Sequence, residues 1–172
     1  LFNGNLTYGE VIIKGESKKE VLLSTYICHP SMANNELSGT SVLTFLTKWI
    51  LSLKNKRYSY RIIFIPETIG SIAYIKKNLK NLKKNLIAGF IVTCVGDKGN
   101  FSYIPSRSGN TLSDFVAKII LKKNKKVFNT YTWLDRGSDE RQFCAPNVDL
   151  PICSITKSKY GKYKEYHTSL DK

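Results

Sequence analysis

Two short stretches constrain the fold of this chain more than anything else in it. Arg61-Ile62-Ile63-Phe64-Ile65 is almost unbroken in its apolar character, and Ile87 to Val95 is similar. Both are strand-length, and continuous apolar strands belong in the middle of a sheet covered on both faces. The segments around them alternate in type. Glu10 to Lys14 and Glu20 to Cys28 read as strands, and Gly15-Glu16-Ser17-Lys18-Lys19 between them has the chemistry of a hairpin turn. Leu37 to Leu53 repeats apolar residues at helical spacing (Leu37, Val42, Phe45, Leu46, Trp49, Ile50, Leu53), which predicts a helix with a buried face. Ser71 to Leu82 is helical in pattern. So is Thr111 to Lys122, with Leu112, Phe115, Val116, Ile119 and Ile120 on one side. Phe101 to Ile104, Val127 to Trp133 and Pro151 to Ile155 supply further strands. The alternation predicts an α/β three-layer sandwich: a mostly parallel or mixed central sheet with helices on both faces.

The 172 residues, 42% of them apolar, suffice for a single domain over residues 1–172 with a substantial core. The opening on Leu1 and the end in mid-motif at Asp171-Lys172 read as an excerpt of a longer chain. No apolar run approaches the ~20 residues that span a bilayer, and no basic, apolar leader is recognisable. Cys28, Cys94, Cys144 and Cys153 are widely spaced, which suits reduced thiols in a cytoplasmic protein better than a disulfide framework. The formal charge of +14 comes largely from lysine clusters such as Lys76-Lys77, Lys83-Lys84 and Lys122-Lys123-Asn124-Lys125-Lys126. No nucleic-acid-binding motif accompanies them, so they read as solvated helix faces, and neither nucleic acid nor membrane is the expected partner.

The chain has only two histidines, and each stands at the edge of a loop beside carboxylates. His29 follows the apolar run ending at Cys28 and precedes Glu36. His167 lies in Glu165-Tyr166-His167-Thr168-Ser169-Leu170-Asp171. Neutral imidazole is the commonest protein metal ligand. His29 and Glu67 both directly follow apolar strands, and ligands of open α/β sheets bind outside the carboxyl ends of the strands. Neither Ser38 nor Ser71 sits in a Gly-x-Ser-x-Gly elbow, which argues against a serine hydrolase.

Four ordered segments carry a resemblance. Ala33-Asn34-Asn35-Glu36-Leu37-Ser38-Gly39 resembles the Asp-Asp/Asn-x-x-Gly segment of co-catalytic zinc aminopeptidases. Pro66-Glu67-Thr68-Ile69-Gly70-Ser71-Ile72-Ala73-Tyr74 is similar to a shortened form of their Glu-Glu…Gly-Ser-x-x-Tyr motif. Ser138-Asp139-Glu140-Arg141-Gln142-Phe143, then Leu150-Pro151, is similar to their Ser-Asp-x-x-x-Phe…Pro, and His167-Thr168-Ser169-Leu170-Asp171 to the closing His-Thr-x-x-Asp. Over residues 10–171 the whole most closely resembles a bacterial aminopeptidase-like family associated with polysaccharide biosynthesis.

The resemblance implies a zinc-exopeptidase fold and a zinc-dependent hydrolase of amide bonds acting on a small peptide or amide. His29 and His167 match the family's histidine ligands. The bridging aspartate falls on Asn35, a neutral amide, with Glu36 beside it as the replacement carboxylate. A further aspartate ligand falls near Thr93, with Asp97 displaced from it, and the Glu-Glu pair is reduced to Glu67. One zinc on His29, Glu36 and His167 is therefore favoured over two, with Asp139 the other possible carboxylate. Glu67 is the expected general base and acid, and Asp139 is expected to orient a ligand histidine. Arg136, Arg141 and Tyr166 are the expected substrate contacts. A catalytically degenerate domain that binds a peptide or amino-sugar conjugate is the first alternative, and an N-acyl-sugar deacylase the second.

Overall fold

The computed structural model describes residues 4–124 and 127–172, so Lys125 and Lys126 of the longest lysine cluster lie outside the described residues. In chain order the elements are β1 (Gly9–Ile13), β2 (Glu20–Tyr26), α1 (Ser38–Ser52), β3 (Ser59–Ile65), α2 (Ile69–Asn85) and β4 (Leu86–Val92). There follow β5 (Phe101–Ile104), α3 (Leu112–Lys123), β6 (Phe128–Thr130), the single turn α4 (Glu140–Phe143) and β7 (Ile152–Thr156). The strands form one mixed sheet in the order β1-β3-β2-β4-β7-β5-β6. Its centre, β3-β2-β4-β7, is parallel. β1 runs antiparallel to β3, and β5 antiparallel to β7.

Successive side chains of a strand point to opposite faces, and the two cores follow from that. On one face Leu23 and Ile62 meet Leu43 and Ile50 of α1, while Tyr103 and Cys153 meet Ala117 and Leu121 of α3. On the other, Leu22, Ile63 and Ile91 pack with Tyr74, Ile75 and Leu82 of α2 and with Phe143 at α4. The expected three-layer α/β sandwich is what forms. All four cysteines are unpaired, and only Cys28 is exposed. Among the described residues no helix is long and apolar enough to cross a membrane.

Three details differ from expectation. β1 and β2 do not form a hairpin, because β3 lies between them and pairs with both. The buried Arg61 of β3 accounts for that arrangement: its guanidinium donates to Glu20 of β2 (2.6 and 3.1 Å), Glu10 of β1 (2.6 Å) and the Tyr74 hydroxyl of α2 (3.2 Å). The segment expected as a strand to Trp133 stops at Thr130, and Trp133–Asp135 form a 3₁₀ turn.

The apolar helix faces are the third difference. Phe45 and Trp49 of α1 are 73% and 58% exposed, and Leu112, Phe115, Val116, Ile119 and Ile120 of α3 are exposed as well. The helices touch the sheet through smaller residues: Gly39 with Leu43 and Ile50 in α1, and Ser113 and Ala117 with Leu121 in α3. A Cβ on Gly39 would lie 2.4 Å from both Thr25 Oγ1 and Val92 O, so the approach of α1 to β2 and β4 requires glycine there.

Candidate metal centre

β2 and β3 lie side by side and parallel, with Tyr26 in register with Ile65, and Ile27 N–H extends the ladder by donating to Ile65 O (3.0 Å). Beyond that point the chain leaves β2 for α1 on one face of the sheet and leaves β3 for α2 on the other. Such divergence opens a crevice at the carboxyl ends of the two strands. His29 and Glu67 stand at its mouth, with His29 Nε2 3.7 Å from Glu67 Oε2.

Glu36 reaches the same place by a local irregularity. Residues Ala33–Leu37 make one π-helical turn, closed by Leu37 N–H to Met32 O (3.2 Å). Single π turns re-aim side chains and recur at functional sites. Asp171 holds this one from the far end of the chain. Its carboxylate accepts the backbone N–H groups of Asn34 (2.5 Å) and Asn35 (3.1 Å), and the Tyr163 hydroxyl (2.9 Å). Glu36 Oε2 thereby accepts the backbone N–H of His29 and lies 3.6 Å from its Nδ1.

Glu67 is fixed from two sides. Ser138 Oγ–H donates to its Oε1. The next residue, Thr68, has φ 61, a left-handed conformation that a β-branched residue adopts only under constraint. Thr68 N–H donates to Asp139 Oδ1 (2.8 Å), which pins the turn. The buried Glu140 fixes the opposite loop by accepting from Gly137 N–H (2.9 Å), Ser138 N–H (3.1 Å), Ser154 Oγ–H (2.9 Å) and the Tyr160 hydroxyl. Burial pushes the Glu67 carboxyl above its ordinary range, although Ser138 and His29 pull it down. Burial raises Asp139 further, to about 7. Its Oδ2 has no hydrogen-bond partner among the described residues.

His167, also at positive φ (56), lies in a stretch of turns that follows β7. Its ring is 5.1 Å from that of His29 and stacks on Tyr166 at 3.9 Å. The structure therefore brings His29, Glu36 and Glu67 together, with His167 and Tyr166 alongside. Asp139 bonds to the Thr68 backbone, with no hydrogen bond to either histidine among the described contacts. Arg136 folds over the Trp133 ring (4.6 Å) and donates to Trp133 O (3.0 Å). Arg141 is exposed beside Ile72, Lys76 and Val148, in the groove between α2 and α4.

Asn35 and Thr93 serve the interior. Asn35 is fully buried, its Oδ1 accepts the Tyr26 hydroxyl (2.5 Å), and Thr93 Oγ1 donates to its backbone carbonyl (2.9 Å). Asp97 accepts from Asn34, Gly99 and Ser158, away from the histidines. Sequence reasoning passed over Cys28, Ser138, Glu140 and Asp171. Of these, Cys28 had a visible signal, its place directly before His29. Among the described residues, Cys28, His29 and Glu36 form the only group of three or more His, Cys, Asp or Glu residues whose donor atoms all lie within 4.8 Å of one another. Sulfur, imidazole nitrogen and carboxylate oxygen are the donors zinc prefers, so the residues present fit that ion.

The fold is that of the zinc aminopeptidases and glutaminyl cyclases. The chain superposes on a zinc aminopeptidase from Bacillus subtilis with TM-score 0.71 at 18% identity, covering 95% of this chain and 43% of the other. A Porphyromonas gingivalis glutaminyl cyclase gives 0.74 at 17% identity, covering 96% and 69%. The chain belongs to the family described as a domain of unknown function, DUF4910, whose model matches residues 1–172. A Clostridium acetobutylicum protein named for polysaccharide biosynthesis and an aminopeptidase-like domain is 44% identical over 171 residues. That match covers 99% of this chain and 39% of the relative. A crystal structure from the same organism, named provisionally as a peptidase, has TM-score 0.91 at 42% identity over 95% of this chain and 38% of the other. The chain thus spans about two fifths of the length of these relatives.

Proposed function

We propose that this domain carries a zinc-dependent hydrolase of amide bonds, with an aminopeptidase-like reaction on a small peptide. One observation carries the reading: beyond the carboxyl ends of two adjacent parallel strands, the His29 ring lies between Glu36, 3.6 Å from its Nδ1, and the sequence-distant Glu67, 3.7 Å from its Nε2. A zinc ion held by His29 and Glu36, with His167 closing the site, would supply Lewis-acid activation of water and of the scissile carbonyl. One ion is favoured, because Asn35 and Thr93 are committed to buried hydrogen bonds.

The protein's own groups divide the remaining work. Glu67 takes a proton from the attacking water and returns it to the leaving amine, with its raised proton affinity suited to both. Ser138 holds Glu67 in place. Asp139 fixes the Thr68 turn that presents Glu67, and so acts as a positioning residue. The stacked faces of Tyr166 and His167 form one wall for the substrate. Arg136 and Arg141 are placed less well for a substrate carboxylate, because one is engaged with Trp133 and the other faces the α2–α4 groove.

The second reading, a binding domain without turnover, is favoured by the same loss of Asn35 and Thr93 from the ligand set. Glu67→Gln discriminates between the two. It should keep its zinc and lower turnover of aminoacyl amides by ~10²–10⁴-fold, read as kcat beside metal content. Undiminished turnover would remove Glu67 from the chemistry. A zinc-loaded wild type that binds peptides or amino-sugar conjugates and hydrolyses none would establish the second reading.

A further inference from the structure

Cys28 is the one exposed thiol, and three features of its surroundings are those of a metal ligand. Its Sγ lies 3.4 Å from His29 Nδ1, and the same Nδ1 lies 3.6 Å from Glu36 Oε2. Around a tetrahedral zinc with ordinary bond lengths, ligand sulfur and nitrogen are about 3.5 Å apart and ligand nitrogen and oxygen about 3.4 Å. Both separations here match those values closely. The third feature is a donor aimed at the sulfur. Glu67 N–H lies 3.1 Å from Cys28 Sγ, and backbone N–H groups so placed share the charge of a ligating thiolate.

Cys28 and His29 are sequence neighbours, which in a regular strand would point to opposite faces. They converge because β2 ends at Tyr26, before either of them. The turn that follows, with Ser31 at φ 65, lets both side chains face the crevice.

We infer that Cys28 is a direct metal ligand, so that the ion is held by Cys28 Sγ, His29 Nδ1 and Glu36 Oε2. This inference rests on the metal reading above and changes its ligand set. His29 Nε2, the ring nitrogen left free in this set, lies 3.7 Å from Glu67 Oε2. His167, whose ring is 5.1 Å away, completes the site or stays free for substrate. A thiolate in the set selects zinc or cobalt over magnesium and manganese.

Cys94, Cys144 and Cys153 are buried, so alkylation of the native protein reports Cys28 alone. The experiment combines native iodoacetamide labelling, with and without zinc, with the absorption spectrum of the cobalt(II)-loaded protein. The expected result is loss of labelling on zinc binding and a near-ultraviolet sulfur-to-cobalt charge-transfer band. Cys28→Ser should lack that band while keeping the visible bands of bound cobalt. Stoichiometric metal binding with labelling unchanged and no charge-transfer band would overturn the assignment and leave a metal site made by other residues. Failure of the wild type to bind either ion would overturn the metal reading itself, and this assignment with it. The first two measurements use the unaltered protein, so a misfolded variant does not blunt the test.

Discussion

Asp139 keeps its proton to about neutral pH because burial disfavours its charged form. The consequence for stability has a definite sign. The folded chain binds this proton up to about pH 7, while an unfolded chain releases it near the ordinary 3.8. Between those values the unfolded state has fewer protons, so stability falls as pH rises, and above about 7 the penalty is constant. Asp139→Asn should therefore flatten the decline in melting temperature between pH 4 and 7. An unchanged profile would mean that the carboxyl ionises normally. At this scale the sequence pointed to His29, Glu36, Glu67 and His167, and the structure sets them around one crevice. Ser138 and Asp171 carried no such signal, because each earns its place through a partner 71 or 137 residues away, whereas Cys28 stood in view directly before His29.

Elements were easier to recognise than their orientation. The central strands β3 and β4 could be read because burial on both faces leaves an unbroken apolar run. The helix faces could not, because apolar periodicity marks where the large residues lie, while α1 and α3 meet the sheet through Gly39, Ser113 and Ala117. Pairing of β1 was misread for a related reason. A turn-like segment says that a chain reverses, and nothing in it requires the two strands to be neighbours. That order is written in Arg61, whose partners lie on β1, β2 and α2 at once. Removing one member of a buried ion network leaves the others uncompensated, so Arg61→Ala should lower the unfolding free energy by about 3–5 kcal/mol. Urea denaturation measures it, and a loss below about 1 kcal/mol would show that the network does little to secure the edge strand.

Considered as a whole, the molecule builds its site from two kinds of structure. His29 and Glu67 are anchored to hydrogen-bonded strands at the centre of the sheet, whereas the chain from Lys157 onward has neither helix nor strand among the described residues. That stretch is tied back by Lys157 on Cys94, Ser158 on Asp97, Tyr160 on Glu140 and Asp171 on Asn34 and Asn35, and its residues between Tyr163 and Leu170 are held least. Segments held by few buried contacts open with small free energies, and central strands only with global unfolding. The two halves of the site should therefore keep different time. Amide hydrogens of β2 and β3 should exchange at the slow global rate, and those between Tyr163 and Leu170 far sooner. Zinc should slow the second group if His167 joins the ligands, and leave it untouched if Cys28, His29 and Glu36 suffice. Entry to the crevice would then be governed by the brief openings of one short stretch near the end of the chain, with the sheet standing still beneath it.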